Sequence, residues 1–269
     1  MTSDLDLAQE LADSADRVSS RYFAAGSVPY QTKADGSPVT AADREVEETL
    51  LALVSQRRPE DAFLGEEVGA AGAGQRRWIV DGIDGTHAFV AGAPQWGTLV
   101  ALEVAGALTV GVATSPGLGR RWWASRGGGA WTASLRDGRL WGQAKRLVVS
   151  DRPLPVARAA VLPRPEQLDG WRRSLAERIR ASLDCPTLDG HGPLLVSAGA
   201  IEISVHLGGG PWDHAAFAVI VEEAGGCFRD LWGGRRLDTA TALFASSTPI
   251  ADAVLQLAAP LVSEATGSC

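Results

Sequence analysis

The sequence predicts an α+β fold, because helical, strand-like and alternating segments follow one another along the chain. Apolar residues recur at helical spacing before Pro59, which indicates amphipathic helices. Between residues 62 and 124 they form short runs bounded by glycine and charged residues, which indicates a sheet. From residue 159 onward, strand-like and helix-like segments alternate.

Two helices are predicted before the sheet. In the second, Thr40 is the N-cap, Asp43 lies three residues on as in a capping box, and Pro59 follows the end. The apolar stripe of the first consists of Leu7, Leu11, Ala15 and Val18, and that of the second of Val46, Leu50, Leu53 and Val54.

The strands of the sheet are predicted from five apolar runs, at residues 62–64, 78–80, 98–104, 108–113 and 121–124. The most apolar stretch, residues 96–116, contains Glu103 and a turn at Gly106. A pair of buried strands therefore explains this stretch better than a membrane span does.

The second half is expected to contain three strands and four helices. The strands are predicted at 159–161, 201–205 and 242–245, and the helices at 166–183, near Leu194, at 212–224 and at 249–261. No internal repeat or low-complexity linker interrupts the 269 residues. We expect one unit of two packed lobes, about residues 1–147 and 148–269.

Composition excludes several classes of protein. The chain has 25 basic and 32 acidic residues and no basic stripe, so we expect no nucleic-acid partner. The three cysteines, Cys185, Cys227 and Cys269, suit neither a disulfide framework nor a thiolate zinc site and indicate a reduced, cytoplasmic chain. The start of the sequence lacks the features of a signal peptide, and no membrane association is expected.

The strand predicted at 78–80 leads directly into Asp81, followed by Asp84 and the pair Gly85–Thr86. Two carboxylates held close together are costly unless a cation lies between them, and oxygen ligands select a hard ion such as Mg²⁺. The turn at Gly85 would direct backbone N–H groups toward an anion. Taken alone, the segment is as consistent with an Asx turn and helix cap as it is with a metal and phosphate site.

Three further acidic residues lie at the ends of predicted elements. Glu66 and Glu67 follow the strand predicted at 62–64, where an exposed acidic loop is the simple alternative. Asp213 lies in the first turn of an apolar helix, where capping and dipole compensation would contribute about 0.5–2 kcal/mol. Singly, none of the three establishes a metal site.

Together, four stretches resemble the inositol monophosphatase superfamily of lithium-sensitive, magnesium-dependent phosphatases. Their order and spacing match over nearly the whole chain. The resemblance implies a layered αβαβα sandwich of the inositol monophosphatase and fructose-1,6-bisphosphatase type, two or three Mg²⁺ ions and a homodimer. The four stretches are residues 37–43, 65–67, 78–86 with 89–90, and 212–226.

The same resemblance implies a role for each site residue. The metal ions would be held by the carboxylates of Glu66, Asp81, Asp84 and Asp213, by the backbone carbonyl of Ile83 and, for a weaker ion, by Glu67. Catalysis is assigned to Asp43, Thr86 and Glu66, with Asp43 and Thr86 orienting the attacking water. Gly85 and Thr86 would hold the phosphate.

Within the superfamily, the chain most resembles bacterial histidinol-phosphate phosphatases, through residues 4–8, 89–102 and 120–124. Histidinol phosphate is therefore the expected substrate. Three departures bear on it: Gly82 replaces the usual proline, Ala88 the usual asparagine, and His206 a residue that is typically acidic. His206 and Glu202 are the candidate substrate-binding residues on this segment. Glu202 would be a substitute carboxylate, although alternation places it on the same strand face as His206 with four positions between them.

Other functions stay open at this stage. An inositol phosphate, sugar phosphate, nucleotide or secondary-metabolite phosphate is an alternative substrate. A nucleotide-type enzyme acting on a 3′-phosphoadenosine compound would need a basic pocket, and the motifs show no basic cluster nearby. A non-catalytic family member is a third interpretation, against which stand the retained carboxylates together with Asp43 and Thr86.

Overall fold

The computed structural model describes residues 3–26, 28–34, 36–186 and 190–266, with side chains as far as residue 263. The chain divides into two units, one of residues 1–146 with 215–220 and the other of residues 147–214 with 221–269. Cys269 lies outside the described residues. None of the helices in the described ranges combines the length and apolarity that crossing a bilayer requires.

Two long helices begin the first unit. Helix α1 (Asp4–Ala24) starts at an N-cap serine, and α2 (Ala41–Arg57) starts at the capping box that the sequence predicts. In that box the Thr40 side chain accepts from the backbone of Asp43 and the Asp43 carboxylate accepts from the backbone of Thr40. Both helices bury their predicted apolar stripes, with Val18 and Leu53 only partly buried.

An eight-stranded sheet forms the body of the first unit, and a two-stranded ribbon of β1 (Tyr30–Thr32) and β2 (Pro38–Thr40) precedes α2. The sheet order is β10-β9-β8-β7-β6-β5-β3-β4, and only β3 and β5 run parallel. Its strands are β3 (Ala62–Gly65), β4 (Gly69–Ala71), β5 (Arg76–Asp84), β6 (Gly97–Val104), β7 (Ala107–Ser115), β8 (Arg120–Ser125), β9 (Gly129–Arg136) and β10 (Arg139–Arg146).

The five predicted strands are all present, and the turn predicted at Gly106 joins β6 to β7 with Ala105 and Gly106 both at positive φ. The prediction missed three strands of this sheet, β4, β9 and β10. Strand β10 is almost entirely exposed, so it carries no apolar run that would distinguish it from a polar loop.

A buried arginine links α1 to the sheet. The Arg121 guanidinium donates to Asp16 at 2.6 Å, Asp13 at 2.7 Å, and Gln9 and Thr114 at 3.0 Å each. Burial raises the pKa of Asp16 to about 6, although Arg121 lowers it. These hydrogen bonds and ion pairs compensate the buried charge of Arg121, which would otherwise be costly to place in an apolar interior.

The second unit contains a four-stranded sheet of order β11-β12-β14-β13, in which β11 and β12 are parallel. Its strands are β11 (Ala159–Leu162), β12 (Ile203–His206), β13 (Cys227–Arg229) and β14 (Ala242–Ala245). Its helices are α4 (Gly170–Ser182), α5 (Gly192–Ser197) and α7 (Thr248–Thr266). Helix α3 (Thr86–Val90) belongs to the first unit, and α6 (Pro211–Glu223) has residues 215–220 in the first unit and its two ends in the second.

Several boundaries in this unit differ from the prediction. The helix expected at 166–183 is a 3₁₀ turn at Pro165–Gln167 followed by α4, and the strand expected at 201–205 begins only at residue 203. Helix α7 continues past the predicted end and contains Pro260. The predicted α+β class is confirmed.

Candidate functional site

Strand β5 carries the two central aspartates. The sequence suggests a strand that ends before Asp81, whereas β5 continues to Asp84. The register of β5 against β6 is irregular between Asp81 and Asp84. In a regular strand, side chains three positions apart point to opposite faces. The irregularity changes the direction of the side chains that follow it, so the carboxylates of Asp81 and Asp84 can both contribute to one site. Asp81 is buried and Asp84 half-buried.

Glu66 and Glu67 leave the same edge of the sheet. Strand β3 is parallel to β5 with Gly65 opposite Val80, so the residues after Gly65 emerge beside Asp81. The Lys33 ammonium lies 2.7 Å from Glu66 and also forms an ion pair with Glu67. Burial raises the pKa of Glu66, and the hydrogen bond from Lys33 opposes that rise.

A hydroxyl and a carboxylate meet at the start of α3. The Thr86 hydroxyl lies 3.1 Å from Asp43 Oδ1 and 3.0 Å from the Ile83 carbonyl oxygen. The other oxygen of Asp43, Oδ2, accepts from the backbone N–H of Thr40 at 2.8 Å. Burial raises the pKa of Asp43, and the hydrogen bonds to its carboxylate oppose this.

The turn at Gly85 requires glycine. Its φ is 84°, in the left-handed region, and an added Cβ would come within 2.7 Å of the Gln95 carbonyl oxygen. The backbone can therefore turn sharply from β5 into α3. This geometry matches the turn that the sequence predicts after Asp84.

Asp213 lies in the first turn of α6, the helix whose following residues 215–220 belong to the first unit. Its Oδ2 accepts from the backbone N–H of Gly210 at 2.6 Å, which is the capping contribution expected from the sequence. One carboxylate oxygen each from Asp81, Asp84 and Asp213 lie within 4.8 Å of one another. The capping interpretation and a metal-binding interpretation are thus compatible for Asp213.

The chemistry of these donors fits a divalent cation. Three carboxylates at this separation repel one another, and a cation among them removes that cost. All three donors are oxygens and two of the residues are only half-buried, so a hard ion that keeps some water is suited to them.

Glu47, one helical turn after Asp43, is a further site residue that the sequence reasoning missed. It is fully buried on α2, and its carboxylate accepts hydrogen bonds from the backbone N–H groups of Glu66 and Gly82. These two residues lie in the two segments that carry the predicted ligands Glu66, Asp81 and Asp84. Burial raises its pKa to about 7 against the opposing hydrogen bonds. An acidic residue within the apolar stripe between Val46 and Leu50 was the available signal.

The expected role of Glu202 is wrong. The residue is fully buried just before β12, and its carboxylate accepts from Arg152 at 2.8 Å and from the backbone N–H of Arg158 at 2.7 Å. It therefore stabilises the second unit and is not presented to a substrate. His206, at the end of β12, packs its ring 5.6 Å from that of His214, and its role in substrate binding stays a prediction.

An α+β fold that places three carboxylates together, with a threonine hydroxyl beside an aspartate, has the features of a metal-dependent phosphatase. The sequence model of the inositol monophosphatase family matches residues 2–265. The chain belongs to this family, which confirms the resemblance seen in the motifs.

Three comparisons illustrate the relationship. A protein of Streptomyces griseus named glucose-1-phosphate thymidylyltransferase is 40% identical, over 91% of this chain and 92% of its own length. The histidinol-phosphatase of Chlorobaculum parvum is 37% identical, over 87% and 88%. The solved structure of an inositol monophosphatase from Zymomonas mobilis is similar with a TM-score of 0.77 at 28% identity, over 95% and 97%.

Proposed function

We propose that the protein is a Mg²⁺-dependent phosphomonoesterase whose substrate is histidinol phosphate. The observation that carries the proposal is the group of Asp81, Asp84 and Asp213, next to the pair of Thr86 and Asp43. The similarity to a histidinol-phosphatase over most of both chains supports the choice of substrate.

In this proposal, Asp81, Asp84, Asp213 and Glu66 hold two or three Mg²⁺ ions, with the Ile83 carbonyl and Glu67 as further ligands. Bound Mg²⁺ neutralises phosphoryl charge and lowers the pKa of a water molecule. The Lys33 ammonium forms ion pairs with Glu66 and Glu67 and adds a positive charge beside these two proposed ligands.

The chain's own residues would perform the remaining steps. The Thr86 hydroxyl donates to Asp43, and this pair would fix the orientation of the attacking water. Backbone N–H groups of the turn at Gly85 and Thr86 would hold the phosphoryl oxygens in line for attack. His206 would contact the alcohol portion of the substrate through its imidazole nitrogens.

Phosphate release tests the proposal directly. The purified chain is assayed with Mg²⁺ against histidinol phosphate, inositol phosphates, sugar phosphates, a 3′-phosphoadenosine nucleotide and other nucleotides. We expect the highest kcat/KM for histidinol phosphate, no turnover after chelation, and inhibition by Li⁺. Absence of phosphate release from every ester would refute the enzymatic assignment, and preference for another ester would replace the substrate.

The name of the Streptomyces griseus relative suggests a second candidate, the transfer of a thymidylyl group to glucose 1-phosphate. That reaction releases pyrophosphate, whereas ester hydrolysis releases inorganic phosphate. An assay with dTTP and glucose 1-phosphate that measures pyrophosphate tests this second candidate, and we expect no pyrophosphate.

Assembly and location are also proposals. We propose a cytoplasmic homodimer, on the basis of the cysteine pattern and the family resemblance. Size-exclusion chromatography with light scattering measures the assembly, and a monomer mass would contradict it.

A further inference from the structure

Glu47 joins two segments of the proposed metal site through four backbone hydrogen bonds. One carboxylate oxygen accepts from the N–H of Glu66 at 3.0 Å and of Gly82 at 3.3 Å. The other accepts from the N–H of Glu67 at 2.8 Å and of Val68 at 2.9 Å. The donors belong to the loop after β3 and to the stretch of β5 between its two aspartates.

The glycines at this point of the chain make room for the carboxylate. An added Cβ at Gly65 would lie 2.3 Å from a Glu47 oxygen, and one at Gly82 would lie 3.1 Å from Glu47 Cγ and 2.7 Å from the Asp43 carbonyl oxygen. Gly82 also donates its N–H to Glu47, which a proline at this position could not do.

We propose that Glu47 is a positioning residue that holds the backbone at residues 66–68 and 82, so that the neighbouring carboxylates converge on the metal ions. It acts through the main chain and touches neither the metal nor the substrate. The inference rests on the proposed metal-dependent function and deepens it.

Fixing the backbone matters because the ligands emerge from two different segments. Glu66 is attached to the loop after β3, and Asp81 and Asp84 flank Gly82 on β5. A single rigid acceptor for both segments sets the distance between them before any cation binds. Removal of such supporting groups around metal sites typically weakens metal binding by roughly 10–100-fold.

Glu47→Gln tests the proposal with little change in shape. The amide retains one acceptor oxygen, but its NH₂ group faces backbone donors that then have no acceptor. We expect faster hydrogen exchange at the four amides, and a Mg²⁺ dissociation constant about 10–100-fold higher in calorimetric titration with Mg²⁺ alone. The half-saturating Mg²⁺ concentration should rise similarly, with kcat largely recovered at saturating Mg²⁺.

Glu48→Gln is the matched control, because Glu48 is the exposed neighbour on the same helix. It should leave exchange and Mg²⁺ affinity unchanged. If Glu47→Gln does not fold, Glu47→Asp keeps the charge on a shorter stem, and we expect it to weaken Mg²⁺ binding at least several-fold.

Two results would overturn the positioning role: wild-type Mg²⁺ affinity in folded Glu47→Gln, or unchanged exchange at the four amides. Wild-type affinity of the Glu47→Asp variant would have the same meaning. The phosphatase proposal fails separately, through a wild-type chain that binds Mg²⁺ but releases phosphate from no ester. The titration with metal alone then still decides the role of Glu47.

Discussion

Replacing Arg121 by methionine tests the buried ionic network of the first unit. Methionine keeps an unbranched side chain of similar length and removes the guanidinium. Asp16 then retains its contact with the Thr114 hydroxyl but loses its positive partner at 2.6 Å. The expected result is a folded protein of much lower stability, because Asp16 must then either remain an uncompensated carboxylate in the interior or take up a proton at neutral pH.

The magnitude follows from the burial of the pair. The side chain of Arg121 is 1% exposed and that of Asp16 is 0% exposed, so solvent offers little screening. Breaking a pair buried to this degree costs about 3–5 kcal/mol. For a chain of this size each kcal/mol corresponds to about 2–4 °C, so Tm should fall by roughly 6–20 °C.

Urea unfolding at pH 7, followed by tryptophan fluorescence, measures the change. Arg120→Met is the control, since Arg120 is exposed on the same strand and should change the unfolding free energy by no more than about 0.5 kcal/mol. Adding Asp16→Asn to Arg121→Met neutralises the remaining charge. The double variant should regain about 1–3 kcal/mol relative to Arg121→Met.

Two outcomes would refute this reasoning. One is an unfolding free energy of Arg121→Met within about 1 kcal/mol of the wild type, the typical effect of an ordinary substitution. The other is a double variant no more stable than Arg121→Met, which would show that the stranded charge of Asp16 is not the cause.

Three further predictions concern the site and the pH dependence of stability. Asp84→Asn should reduce phosphate release to background and weaken Mg²⁺ binding, while Tm stays near that of the wild type. Asp137→Asn, at an exposed turn, is the control and should change neither phosphate release nor Mg²⁺ binding. Wild-type rates for Asp84→Asn at limiting Mg²⁺ would contradict a ligand role. Thr86→Val, which removes the hydroxyl 3.1 Å from Asp43, should lower kcat about 100-fold or more with KM little changed, and steady-state kinetics would expose a smaller effect. Burial raises the pKa of Asp16 from 3.8 to about 6. Between pH 4 and 6 the folded chain therefore keeps a proton on Asp16 that the unfolded chain loses. The unfolding free energy should fall by at most about 3 kcal/mol as pH rises across this range. Asp16→Asn should remove that slope in urea titrations across this range, and an unchanged slope would assign it to other groups.

Local signals in the sequence predict much of the fold. The capping box at Thr40 depends on residues three apart, and the buried strands of the sheet carry apolar runs, so both are visible without tertiary information. Strand β10 is held by its neighbour β9 and not by burial, which leaves no pattern to detect.

The site shows the same division between local and distant causes. Asp81 and Asp84 are recognisable because they follow an apolar strand in sequence. The roles of Glu47 and Glu202 depend on donors far along the chain, such as Gly82 for the first and Arg152 for the second. Alternation along a strand could not show that Glu202 is enclosed, so its expected contact with substrate was wrong.

Asp43 divides its two oxygens between different tasks. Oδ2 closes the capping box with Thr40, and Oδ1 receives the Thr86 hydroxyl. A substitution at this position should therefore affect both the capping of α2 and the contact with Thr86 on which the proposed reaction depends. Laboratory evolution for heat tolerance should therefore retain aspartate at residue 43. Variants at this residue should give less folded protein, so their turnover has to be normalised to the folded fraction before a loss of activity can be recognised.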